Sequence, residues 1–240
     1  MKPALVLLVC LAAIQAHAQK PDPFDLEVGS VILLQNKSVQ KELKVTDKQR
    51  ASMNKFADAH RAQLLKYQKE LEAKQKDKTK PLPVDTRRMD AMFGDMKSGV
   101  MGQLTAAQAR RLREISLQQL GFVALTDDSV AKRVGMSAAD LKKVKDAYNA
   151  GLKEADQIAQ GAQAQLEIQL QDLKKRKPKD DKEQKAIMKE AEAKAEALRK
   201  KVDPQIEKVQ AKTRDTVLSL LTPAQRAAWK KLLGTPFKGS

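Results

Sequence analysis

Two helix starts carry the same pattern: Leu104-Thr105-Ala106-Ala107-Gln108 and Leu221-Thr222-Pro223-Ala224-Gln225. Each reads Leu-Thr-x-x-Gln, the arrangement of a capping box. A Thr hydroxyl accepts from the backbone N–H of the Gln, and the Gln side chain reaches back to the Thr N–H. Pro223 occupies the first helical position, where a missing N–H costs nothing. Looser copies stand at Val45-Thr46-Asp47-Lys48-Gln49 and Met136-Ser137-Ala138-Ala139-Asp140. The caps at Thr46, Gln49, Thr105, Gln108, Ser137, Thr222 and Gln225 therefore announce four helices, and a chain punctuated in this way has little room for strands.

The caps belong to a longer repeat. Ser38-Val39-Gln40-Lys41-Glu42-Leu43-Lys44-Val45-Thr46 aligns with Ser129-Val130-Ala131-Lys132-Arg133-Val134-Gly135-Met136-Ser137, an offset of 91 (Thr46 to Ser137). Met53 and Phe56 align with Val144 and Ala147 at the same offset. The closing helices are offset by 117 (Thr105 to Thr222), so the second copy has the longer middle. Self-similarity at a fixed spacing is the mark of duplication. The expected fold is all-α: long amphipathic helices in an internally duplicated helical-hairpin arrangement, curved or coiled-coil-like. The expected divisions are a signal peptide at 1–18, an N-terminal arm at 19–36, a first repeat at 37–124 and a longer second repeat at 125–240.

Apolar residues recur at three- and four-residue steps through Met53, Phe56, His60, Leu64, Tyr67 and Leu71, one stripe on a long helix. Lys74 to Pro83 is a basic break, and Val84 to Val100 returns as a helix. In the second copy Leu141, Val144, Tyr148, Leu152, Ile158, Leu166 and Leu173 form the stripe, and Lys174 to Asp181 is the turn. Asp203-Pro204 predicts a new helix start or a kink, because a proline ring removes a hydrogen bond and crowds the preceding turn. Pro21 and Pro23 predict a loose arm over residues 19–27.

The N-terminus has the features of an export signal: Lys2, an apolar run from Ala4 to Ile14, and the small-x-small site Ala16-His17-Ala18. Cleavage after Ala18 is expected, with a periplasmic destination. Cys10 is the single cysteine and lies within that signal. Export without disulfides suits a bacterial periplasm better than a secreted disulfide scaffold.

With these residues in view, the Leu-Thr-x-x-Gln starts at 104–108 and 221–225 in an exported chain without mature cysteine resemble the LTxxQ-motif (Spy/CpxP-like) family of periplasmic helical proteins. The resemblance implies an all-helical fold, a curved dimeric cradle, and activity as an ATP-independent chaperone or envelope-stress protein. This chain is longer than that pattern and duplicated, so the expected assembly is a homodimer or an intrachain pseudo-dimer.

Catalysis finds little support. His60 is the only histidine beyond the signal, and there is no Gly-rich phosphate loop, HExxH or G-x-S-x-G. No catalytic residue, metal site or cofactor is expected, and His60 is read as a packed histidine on its helix stripe. Met89, Met92 and Met96 share one helical face with Phe93 nearby. Methionine fills core gaps, adapts to varied partners, and offers soft thioether ligands to Cu(I). Core packing, a client-binding surface and copper binding are the three readings of this face.

The chain holds 46 Lys and Arg against 30 Asp and Glu, a net charge of +16. Basic runs such as Lys174-Lys175-Arg176-Lys177 could meet phosphates. Export removes the chain from nucleic acid, however, and no aromatics stand among these runs to stack bases. The expected partners are unfolded or aggregation-prone envelope proteins and the anionic envelope surface. The alternative is a structural or regulatory protein bound to one fixed envelope partner.

Overall fold

The structure, a computed structural model, describes residues 21–75 and 84–239. The expected signal peptide with Cys10, and most of the basic break before Pro83, lie outside the described residues. Every regular element among the described residues is helical. In chain order they are α1 (Pro23–Val28), the short 3-10 helix η1 (Val31–Gln35), α2 (Lys37–Glu42), α3 (Asp47–Lys74), α4 (Thr86–Met101), α5 (Ala106–Leu120), η2 (Gly121–Thr126), α6 (Asp128–Val134), α7 (Ala138–Lys175), α8 (Asp181–Ser219) and α9 (Pro223–Leu233). The all-α class and the two helical hairpins, α3 with α4 and α7 with α8, are as the periodicity predicts.

The duplication extends further than the sequence alignment. At the 91-residue offset, η1 matches η2, Asn36 matches Asp127 as the N-cap of the next helix, and α2 matches α6. Asn36 accepts from the Ser38 N–H, and Asp127 accepts from the Ser129 and Val130 N–H groups. Both short helices end in the same left-handed turn, with Lys44 at φ 51° and Gly135 at φ 83°. The wraparound hydrogen bonds match as well: Val45 N–H to Gln40 O and Met136 N–H to Ala131 O, each 2.9 Å. This is the Schellman closure, which satisfies the last carbonyls of a helix.

The chain divides into two compact units, 1–116 with 235–240, and 117–234. The division falls within α5, not after residue 124 as the repeat pattern predicts, and the C-terminal residues from Thr235 return to the first unit. In that unit Val39, Leu43, Met53, Met101, Leu104, Leu112 and Ile115 form one buried cluster, and Phe237 packs against it. The Arg111 guanidinium donates to the Thr235 carbonyl at 2.6 Å. Residues 23–28 are not a loose arm. Pro23 starts α1, Phe24 and Asp25 are buried, and Asp25 pairs with the buried Arg113 at 3.1 Å. Pro23, which read as a loop former, instead presets the first helical turn.

In the second unit, α7 and α8 are joined by only 176–180, and Arg176 pairs with Glu190 across the turn at 2.8 Å. α8 is one helix of 39 residues that runs through Pro204, so no new start occurs there. A proline deletes one backbone hydrogen bond, and packing along the hairpin outweighs that local loss. Leu198, Val209, Thr213 and Val217 are the buried residues of this helix.

Candidate functional site

All four predicted caps form as complete boxes: Thr46 with Gln49, Ser137 with Asp140, Thr222 with Gln225, and Thr105 with Gln108. In the fourth, the Thr105 N–H reaches Gln108 Oε1 at 2.9 Å and the Gln108 N–H reaches Thr105 Oγ1 at 3.3 Å. The glutamines do more than cap. Gln108 Nε2 donates to the Leu43 carbonyl at 3.0 Å and lies against the Gln49 amide. Gln49 Nε2 donates to the Gln103 carbonyl at 2.8 Å. In the second unit Gln225 Nε2 donates to the Gly135 carbonyl at 3.2 Å and to Asp140 at 3.3 Å. The motif glutamine therefore bolts the closing helix to the left-handed turn and to the start of the long helix. These cap residues serve architecture.

The hairpin of the first unit is aligned by a ladder of contacts. Tyr67 is buried, its hydroxyl accepts from the Asp85 N–H at 2.7 Å, and Arg88 lies 4.4 Å above its ring. Arg88 also pairs with Glu70 at 2.8 Å, which holds the Glu70 carboxyl below its ordinary range. Phe93 meets His60 edge to face at 6.4 Å, and Gly99 admits the Phe56 ring against the α4 backbone.

Beside this ladder lies an open groove of about 530 Å³ between η1 and the first half of α3, with α4 as its third side. Its apolar lining is Val31, Ile32, Leu34, Met53, Ala57, Leu64, Met96 and Val100. Gln35, Gln40, Arg50, Asn54, His60 and Arg61 supply polar groups. Ile32, within this lining, is 64% exposed. Arg50 pairs with Asp47 and Arg61 with Asp58, all within single helical turns, and the Arg61 and Asp58 side chains are more than two-thirds exposed. Exposed pairs of this kind are worth little and exchange readily for another anion.

All four residues of the predicted client-binding face lie on α4, and Met96 alone of them lines the groove. Met96 lines the groove and packs against the buried cluster, and Phe93 is 42% exposed with its edge on His60. Met89 and Met92 are half-buried nearer the start of α4 and do not line the groove. His60 is half-buried, as a packed stripe residue should be, but it also forms part of the groove wall. Its Nδ1 is shielded from water and has no hydrogen-bond partner among the described residues. Sequence reasoning missed the contribution of η1, because Val31, Ile32 and Leu34 fall in the stretch expected to be an N-terminal arm.

Among the described residues, no cluster of three or more His, Cys, Asp or Glu side chains has the geometry to hold a metal ion. No described helix is long and apolar enough to cross a membrane. Comparison of the chain with protein-family models, with curated proteins and with solved structures found no match.

Proposed function

We propose that this chain is an exported, non-enzymatic binding protein of the LTxxQ type, which holds unfolded or aggregation-prone proteins in the periplasm without nucleotide. The observation that carries the reading is the open groove of the first unit: an apolar floor with an exposed Ile32, walled by arginines in weak, exchangeable ion pairs. Positive charge speeds encounter with acidic stretches of an unfolded chain. Shallow contact with Ile32, Leu64 and Met96 then holds apolar residues loosely, and methionine repacks around varied partners. Contacts of this strength release a segment once folding buries it.

The test is light scattering from two unrelated, chemically unfolded proteins diluted into buffer with and without the purified chain. Suppression of aggregation for both, without nucleotide, is expected. Failure with both refutes the reading and turns the search to a single fixed envelope partner. Ile32→Asp should weaken suppression while helix content is unchanged.

A further inference from the structure

The duplication supplies an internal comparison that shows what the groove is shaped to hold. At the 91-residue offset, Val31 corresponds to Phe122 and Ala57 to Tyr148. In the second unit those two rings meet edge to face at 6.3 Å, and η2 packs directly on α7. In the first unit the chief neighbours of η1 are α2 and α4, and the groove is lined there by Val31, which also belongs to the buried cluster, and the exposed Ala57. One repeat thus places two half-buried aromatic rings where the other has the smaller Val31 and Ala57 beside an open groove. The same comparison shows what the open copy has gained. Arg50 and Arg61 stand where the second repeat has Leu141 and Leu152, and His60 stands where it has Gly151. A void left by chance loss of two rings would not explain two added cations on the same wall.

We infer that the groove takes an aromatic side chain of a bound polypeptide, with a neighbouring carboxylate meeting Arg50 or Arg61. The inference rests on the binding reading above and narrows it to an aromatic residue flanked by acidic ones. The ring takes the place that Phe122 and Tyr148 occupy in the second unit, against Val31, Ala57 and the His60 wall. Aromatic anchors seated in desolvated pockets dominate binding of this kind, and edge-to-face packing adds to their burial. The carboxylate replaces Asp47 or Asp58 as an arginine partner and gains a fork of donors.

The probe is a blocked hexapeptide with one tyrosine between two aspartates, titrated into the full chain and followed by the His60 imidazole NMR signals. The ring current of the bound tyrosine should shift those signals saturably. Tyrosine to alanine in the peptide should weaken binding more than about tenfold. Aspartate to asparagine should weaken it several-fold and reduce its salt dependence. Val31→Phe with Ala57→Tyr, which copies the second repeat into the first, should abolish the shift while helix content is kept. Binding by that variant as strong as wild type, or equal binding of the alanine peptide, overturns the assignment. Should the filled variant not fold, the wild-type titration decides alone: no His60 shift with excess peptide overturns it. A shift caused by decanoate but not by the peptide overturns it in favour of an amphiphile. Peptide binding at His60 without aggregation suppression would refute the chaperone reading and sustain this one, and suppression without a His60 shift would do the reverse.

Discussion

Gln108→Glu separates the two roles of the motif glutamine. Glutamate keeps an oxygen for the Thr105 N–H, so the capping box survives, and a negative charge in the first helical turn is favourable there. What it loses is the Nε2 donor. That amide nitrogen lies 3.0 Å from the Leu43 carbonyl, 3.4 Å from the Lys44 carbonyl and 3.2 Å from Gln49 Oε1. Each hydrogen bond contributes about 1 kcal/mol net, and a part-buried carbonyl left unpaired beside a carboxylate costs more than the bond alone. The expected loss is therefore about 2–3 kcal/mol. Thr105→Ala removes one hydroxyl cap and should cost about 1 kcal/mol. Denaturant unfolding followed by far-UV circular dichroism measures both. The tertiary bolt predicts that Gln108→Glu is the more damaging change, although it preserves the local motif. A Gln108→Glu variant as stable as Thr105→Ala would mean that the glutamine is only a cap, and the reasoning would fail.

Three further outcomes follow from the same contacts. A Cβ at Gly151 would collide with Thr213 Oγ1 on α8, whereas one at Gly161 on the same helix meets nothing. Gly151→Ala should thus cost about 1–2 kcal/mol net of its helix propensity, with partial rescue by Thr213→Ala. Gly161→Ala should gain up to about 1 kcal/mol, and thermal melts of the three variants check this set. Lys44 holds the left-handed turn that Gly135 holds in the second copy, so Lys44→Gly should raise stability by up to about 1 kcal/mol in denaturant titrations, and a loss would refute it. Acid should remove from the second unit two cap contributions that the first unit does not have. Burial raises the Asp127 carboxyl, but hydrogen bonds from Ser129 and Val130 outweigh it, so the group lies below its ordinary 3.8. The Ser137 hydroxyl and N–H, with the Gln225 amide, hold Asp140 below the same value. With folded-state values under the unfolded ones, the contribution is complete above about pH 4 and is lost as pH falls through the lowered values. The matching residues of the first unit, Asn36 and Gln49, do not titrate. Asp127→Asn with Asp140→Gln should therefore flatten the loss of melting temperature below about pH 4, followed by Trp229 fluorescence in the second unit. An unchanged acid slope would refute the assignment.

Much of this architecture is written in local chemistry. The capping boxes at Thr46, Thr105, Ser137 and Thr222 form because their hydrogen bonds span three residues and need no distant partner. The stripes on α3 and α7 and the duplication are legible for the same reason: helical spacing places their residues together whatever else the chain does. Where the outcome depended on competition between local and distant terms, the sequence by itself was insufficient. Pro21 and Pro23 read as a loose arm, yet α1 is ordered because Phe24 and Asp25 are buried and Arg113, 88 residues along the chain, pairs with Asp25. Pro204 reads as a break, yet hairpin packing carries α8 through it. The groove is the clearest case. Helical spacing joins Ala57, His60 and Arg61, but no pattern joins them to Val31 and Met96, and only the docking of η1 beside the α3–α4 hairpin brings all five to the groove. The repeat offset held one clue, in the replacement of Phe122 and Tyr148 by smaller residues. Its meaning required tertiary structure, because whether a missing ring leaves an open groove or a collapsed core is decided by how far the neighbouring helices can close.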